Sequence, residues 1–282
     1  MPGSKDRFPF KPRALLSALA AVSPSAVFLA LKSPSKARYL LSVTIREVAE
    51  LRETGLHVRE VIRTLCERSE ISHTSLRLPI PFFDEGGTTA QELAVLAGVV
   101  AVTSPQRVFE IGTFFGLATT TFALNAPSSA EIITLDLPPE GGSVEHYLPS
   151  DADLVTRRRV GEWYRVHGLS GQVSQLFVDS LHFDPAPYRD SVDIGFIDGA
   201  HTREYVINDT RKMVTMMREG GILLWHDYGG RGTFAGITDH LESLSRRVPI
   251  YREPNTSLAW AEAGPLKALF AREETSISSP VG

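Results

Sequence analysis

The rhythm of apolar and polar positions changes along this chain at about residue 88. Before it, from Ser35 to about Glu70, Leu40, Leu41, Ile45, Val48, Leu51, Val58, Ile62 and Leu65 recur at three- and four-residue intervals with charges between them. That spacing predicts an amphipathic helical region, broken near Gly55. After it, short apolar runs alternate with helical stretches. Thr88 or Thr89 opens a helix to about Thr103. Glu92 stands three residues after Thr89, as a capping box requires, and Pro105 stops the helix. Strands are predicted at Arg107–Ile111, Glu131–Leu135, Val173–Val178, Val192–Ile197 and Ile222–Trp225, with helices at Leu117–Asn125, about Asp151–His167, Arg203–Met217 and Thr233–Arg247. Two late strands follow, around Val248–Arg252 and Ser257–Glu262, and the Ser-rich tail from Glu273 is expected to be disordered.

Alternating strands and helices predict an α/β fold, a mostly parallel sheet with helices on both faces. The expected division is an N-terminal helical cap over 1–87, one α/β domain over 88–264 and a tail over 265–282. In such open sheets ligands sit beyond the carboxyl ends of the strands. Here those ends carry Gly112, Asp136, Asp179, Asp198 and His226-Asp227. Five successive strands ending in glycine or polar residues form a stronger signal than any one motif.

Each end suggests a role. Gly112, in the turn Val108–Gly116, lacks a Cβ that would hold a ligand away from backbone N–H groups. Asp136 closes the second strand, 20 residues after Gly116, and can accept from a ribose diol. Asp179-Ser180 can accept from an adenine amino group, and Glu110 is expected to hold the glycine turn by accepting backbone N–H bonds. His201, three residues past Asp198, is the candidate general base for a hydroxyl.

Composition narrows the class. The 282 residues are 43% hydrophobic and 22% charged with a net charge of −4, an ordinary globular balance with no overall attraction to nucleic acid; Arg157-Arg158-Arg159 is too short to change that. One cysteine, Cys66, excludes a disulfide framework and a Cys-based zinc site, so a reducing, cytoplasmic setting is expected. Residues 14–31 are mostly apolar and follow four cationic residues, but Ser17, Ser23, Pro24 and Ser25 interrupt them. Two short helices packed on protein are expected there, with contact to a membrane surface as the alternative. The loop Pro79–Gly87 is placed to cover a site.

Glu110-Ile-Gly112-Thr113-Phe-Phe-Gly116, Ile-Ile-Thr-Leu-Asp136, Phe-Val-Asp179-Ser180, Phe-Ile-Asp198-Gly-Ala-His201 and Leu-Leu-Trp-His226-Asp227-Tyr228 together resemble a class I S-adenosylmethionine-dependent methyltransferase. The Asp-Gly-x-His element and the Trp-His-Asp-Tyr end resemble the small-molecule and sugar O-methyltransferases related to catechol O-methyltransferases. The resemblance covers roughly residues 85–263 and not the cap. It implies a Rossmann-like seven-stranded sheet with its last strand antiparallel. It implies S-adenosylmethionine held by the turn from Glu110 through Gly112, Thr113 and Gly116 at the methionine part, by Asp136 at the ribose, by Asp179-Ser180 at the adenine, and bordered by Asp198. It also implies an acceptor that is a small molecule, a sugar or a glycan; the apolar N-terminal stretch adds a lipid-linked glycan, and a homodimer is expected. In metal-dependent members an Asp after the fourth strand and an acidic pair after the fifth hold magnesium. Asp198 and Asp227 match, while His226 stands where the first acid of the pair belongs, so Asp198, His226 and Asp227 are the candidate ligands of Mg²⁺ or another divalent ion. Catalysis is assigned to His201, Asp198 and Asp227. Two rivals stay open: a nicotinamide oxidoreductase, which would need a fuller glycine pattern than Phe114 allows, and a non-catalytic S-adenosylmethionine-binding protein.

Overall fold

A computed structural model describes residues 56–71, 73–79, 87–139, 148, 152, 159–230 and 234–278. The chain divides into two compact units, 1–54 and 55–282, and every described residue belongs to the second. The expectations for residues 14–31, for the amphipathic positions before Leu56, for Ile80–Gly86 and for most of the first half of the Asp151–His167 helix lie outside the described residues.

Eight strands form one sheet: β1 (His57–Val58), β2 (Arg107–Ile111), β3 (Glu131–Asp136), β4 (Val173–Phe177), β5 (Val192–Ile197), β6 (Met217–Trp225), β7 (Tyr251–Arg252) and β8 (Ala259–Glu262). Their order is β1-β7-β8-β6-β5-β2-β3-β4, and β8 alone runs antiparallel to its neighbours. The helices are α1 (Val61–Ser69), α2 (Ala90–Thr103), α3 (Leu117–Asn125), α4 (Glu162–Val166), α5 (Arg203–Met216), α6 (Ala235–Ser245) and α7 (Ala263–Ser278).

The period-2 alternation of each strand splits the core into two layers. Val108 packs with Val61, Leu96 and Phe122 under α1–α3, while its neighbour Phe109 packs with Met213, Leu241 and Leu266 under α5–α7. Leu223 and Leu224 divide the same way. With both faces covered, the central strands read as the nearly continuous apolar runs from which they are recognised.

The capping box is present: Thr89 accepts from the Glu92 N–H, and the Glu92 carboxylate accepts from the Thr89 N–H. Four expectations need correction. The sheet has eight strands rather than seven, because His57–Val58 pairs in parallel with Tyr251–Arg252. The strand predicted from Ile222 begins at Met217 and crosses Gly220-Gly221, with a register shift between Val192 and Ile194 opposite it. Within the described part of the helix predicted over Asp151–His167, the helix begins only at Glu162, after Gly161, whose φ of +70° is left-handed. The tail expected to be disordered is α7, which runs to Ser278. Leu266 and Leu269 are buried against the sheet, and Glu273 accepts from Arg211 at 2.9 Å and also from Arg247. Its serines hid an amphipathic helix. Among the described residues no helix is long and apolar enough to cross a membrane.

Candidate active site

Beyond the carboxyl ends of β2, β3, β4, β5 and β6 lies a cleft of about 910 Å³, partly open to solvent. Two of its turns are joined backbone to backbone. The Asp198 N–H donates to the Ile111 carbonyl at 2.8 Å, and the Gly112 N–H donates to Leu135 at 2.8 Å. Gly112 has φ +98°, and a Cβ there would stand 2.0 Å from the Asp198 carbonyl oxygen. Its missing side chain therefore admits the turn after β5, while Gly112 itself also lines the cleft. Gly116 (φ +86°) N-caps α3, and its absent Cβ faces Gly161 at 3.0 Å rather than the cleft.

The polar groups of the cofactor-type wall are largely held by protein. Asp136 lines the cleft; its carboxylate accepts the Phe114 N–H at 2.8 Å and the Leu137 N–H at 2.7 Å, fixing Phe114 at a left-handed φ of +50°. The Thr113 hydroxyl is shared with Thr134 at 2.6 Å and accepts from Gln175 at 3.0 Å. Glu110 is 1% exposed and accepts from the hydroxyls of Thr134 (2.5 Å) and Thr119. Side-chain hydroxyls, not the backbone N–H groups expected from sequence, are its partners, and burial pushes its carboxyl up to about 8. Asp179 turns away from the cleft, accepting the Tyr205 hydroxyl at 3.0 Å and the Leu181 N–H at 2.9 Å; Ser180 is the residue of that pair on the cleft wall.

Beneath these turns sits Asp209 of α5, which sequence reasoning passed over. It is fully buried, within 3.5 Å of where a Gly199 Cβ would lie, and it is bonded to Ser180 and Asn208, while its Oδ2 has no hydrogen-bond partner. Burial pushes its carboxyl up to about 7. Because the folded value lies above the unfolded one, native protein holds the extra proton between about pH 4 and 7, and stability falls as pH rises through that window. Asp209→Asn removes the charging cost. Its stability relative to wild type is expected to rise by on the order of 3 kcal/mol between pH 4 and pH 8. Urea unfolding at the two pH values measures this; a gap that does not change with pH refutes it.

The turns after β5 and β6 bring Asp198, His201 and Asp227 together. His201 Nε2 lies 3.0 Å from Asp227 Oδ2, with the Phe234 ring 4.4 Å from the imidazole centroid. His226 lies behind them, 5% exposed. Its Nδ1 is 3.0 Å from Asp198 Oδ1 and 3.1 Å from Asp227 Oδ2, and its Nε2 is 3.2 Å from Glu92 Oε2. Burial opposes charge on this imidazole, but Asp198, Asp227 and Glu92 outweigh it and raise its pKa well above the ordinary value. Burial likewise opposes the Asp227 anion, and the two histidines hold its pKa well below the usual carboxylate range.

The side chains whose donor atoms converge within 4.8 Å, as a metal site needs, are Asp198, His201 and Asp227. The structure thus puts His201 where sequence put His226, whose two nitrogens already face carboxylates. Two carboxylates and one imidazole suit a transition metal better than magnesium. Glu92 is the member of this cluster that sequence reasoning read only as a helix cap.

Residues 109–228 match a family model described as a methyltransferase domain. No curated protein sequence matches the chain. Similar solved structures include an SAH-bound methyltransferase from Podospora anserina (14% identity, covering 78% of this chain and 94% of that one, TM-score 0.48). Two others are O-methyltransferases, one from Streptomyces achromogenes, TomG, involved in tomaymycin synthesis and in complex with SAM (15%, 73% and 91%, 0.46), and one from Bacillus cereus in complex with SAH (14%, 71% and 90%, 0.47). The family match sets aside the nicotinamide alternative. The methyltransferase-domain match runs from β2 to the turn after β6, over the strands whose ends build the cleft.

Proposed function

We propose that the enzyme is an O-methyltransferase in which His201 is the general base. The observation that carries this reading is the meeting of Asp198, His201 and Asp227 in the wall of the cleft, on the turns after β5 and β6. In the reaction, the acceptor oxygen attacks the sulfonium methyl in line. A C–O bond forms, the C–S bond breaks with its electron pair going to sulfur, and S-adenosylhomocysteine leaves. The hydroxyl proton passes to the His201 imidazole, whose cationic form the Asp227 carboxylate stabilises at 3.0 Å. Most of the remaining catalysis is alignment of acceptor and methyl.

Asp136 is assigned to the ribose diol. Its carboxylate stands at the end of β3 in the wall of the cleft, where two backbone N–H groups hold it in place. Hydrogen bonds to charged groups are worth about 1.5–3 kcal/mol, so Asp136→Ala is expected to weaken S-adenosylmethionine binding about 10–100-fold. Calorimetry measures it, and unchanged affinity removes Asp136 from the cofactor site. Ser180, rather than Asp179, is the residue assigned to the adenine end.

Asp198, His201 and Asp227 would hold a divalent ion if one binds, and the ion would supply a lowered pKa to the acceptor hydroxyl. The acceptor class is a hydroxyl of a small molecule, sugar or glycan. The deciding experiment is transfer of isotopic methyl from S-adenosylmethionine to catechol and to a panel of methyl glycosides, with and without EDTA. Label in an ether product supports the reading. Cofactor binding with no methylation of any acceptor supports the non-catalytic rival instead.

A further inference from the structure

Glu92 is 2% exposed and is not part of the cleft wall. Its Oε2 accepts from the Thr89 N–H at 2.9 Å and the Thr89 hydroxyl at 2.8 Å, and lies 3.2 Å from His226 Nε2. Its Oε1 accepts from the Ser257 N–H at 2.8 Å and the Ser257 hydroxyl at 2.6 Å. A capping box needs only the first of these bonds and works equally well on an exposed turn. Taking a carboxylate this far from water costs several kcal/mol unless it is paired, so capping alone does not account for its burial. Its ionic partner is His226. The other nitrogen of that ring faces Asp198 and Asp227, and Asp227 in turn faces His201.

We propose that Glu92 is a positioning residue for methyl transfer. It acts through His226, holding Asp198 and Asp227, and with them His201, in register with Gly87 and Thr88, the cleft-wall residues just before the helix that Glu92 caps. Three segments far apart in the chain are tied at one carboxylate: the start of α2, the residue before Asp227, and Ser257 ahead of β8. None of the bonds that hold the Gly112 turn and Asp136 runs through Glu92 or His226. The effect of losing this tie therefore falls on turnover rather than on cofactor affinity. The proposal rests on His201 being the base.

The test compares Glu92→Gln with Ser257→Ala, which removes one bond to the same carboxylate without reaching His226. Glu92→Gln is expected to lower kcat about 10–100-fold, the usual range for residues that orient a reacting group. The S-adenosylmethionine Kd should stay within about threefold, well under the tenfold that 1.4 kcal/mol would bring. Ser257→Ala is expected to lower Tm while keeping kcat. In the long-range ¹H–¹⁵N spectrum of the S-adenosylhomocysteine complex, the His201 ring signals should shift in Glu92→Gln and stay in place in Ser257→Ala; this readout needs no acceptor. Should Glu92→Gln fail to fold, Glu92→Asp, which withdraws the carboxylate by one methylene, is read in the same way. Unmoved His201 signals, or equal kcat losses in Glu92→Gln and Ser257→Ala, overturn the proposal. Normal turnover in Glu92→Gln beside impaired His201→Ala overturns the positioning role alone. Normal turnover in His201→Ala overturns the base assignment, and the positioning role with it.

Discussion

His201→Ala is expected to lower methyl transfer about 10²–10⁴-fold, the range that a positioned general base supplies. The imidazole stands on the rim of the cleft, and Asp227, kept ionised by two histidines, faces it at 3.0 Å. The carboxylate both orients the ring and favours its protonated form, so removal of the ring loses proton transfer and leaves Asp227 without that partner. S-adenosylmethionine affinity is expected to change little, because the residues assigned to its ribose and methionine parts stand on other strands. The effect should appear in kcat, measured with whichever catechol or glycoside accepts the isotopic methyl. A variant with near-wild-type turnover would falsify the assignment. The EDTA arm separates two chemistries that compete for one ring. If EDTA stops the wild type, and added metal restores the wild type but not the variant, His201 is a ligand instead of the base.

Gly112→Ala is expected to be the most damaging single substitution in the cofactor wall. At φ +98° an alanine carries a backbone cost of about 1–3 kcal/mol before any contact is considered. Its Cβ would also stand 2.0 Å from the Asp198 carbonyl oxygen and 2.8 Å from the Gly199 nitrogen. Both obstacles are backbone, so no rotamer change relieves them, and one of the two turns must move. Overpacking of this kind adds about 1–3 kcal/mol. The summed loss of roughly 2–6 kcal/mol is a large fraction of ordinary domain stability. Either movement also disturbs the cleft, since one turn carries Gly112 and Phe114 and the other carries Asp198 and His201. Denaturant unfolding should register the loss, and calorimetry should find S-adenosylmethionine binding abolished at concentrations that saturate wild type. Gly116→Ala serves as comparison: its Cβ would meet Gly161 Cα at 3.0 Å and the Tyr164 ring at 3.2 Å, a milder conflict outside the cleft. Wild-type stability and affinity in Gly112→Ala would remove the steric account.

The central strands and the positions at their ends were legible because buried strands leave continuous apolar runs, and the turns after them must carry glycine or a short polar residue. What those residues touch was less legible. Gly112 was recognisable as a glycine the fold requires, but the oxygen it makes room for belongs to Asp198, 86 positions along the chain. Asp179 follows its strand as the sequence places it, but Tyr205, 26 residues on, draws its carboxylate away from the cleft. His226 read as a displaced metal ligand; three carboxylates from separate parts of the chain face its two nitrogens and raise its pKa. Glu92 advertised only its local partner Thr89, since His226 and Ser257 are 134 and 165 residues away. Local bonds follow from spacing, whereas long-range ones need the topology. The serines of α7 misled for a related reason: composition suggested a tail, while Leu266 and Leu269 had a core to cover.

The short strand β1 has a consequence for how the molecule meets its neighbours. An uncovered outer strand offers a row of unpaired peptide groups on which another chain can grow. Here His57–Val58 takes the outer side of β7, the Arg59 N–H donates to Arg252 at 3.0 Å, and the Trp260 indole donates to the Arg59 carbonyl at 2.8 Å. The Arg59 guanidinium lies over the Tyr251 ring at 4.9 Å. Two residues ahead of α1 thus occupy a margin along which copies of the chain would otherwise be free to join by strand addition.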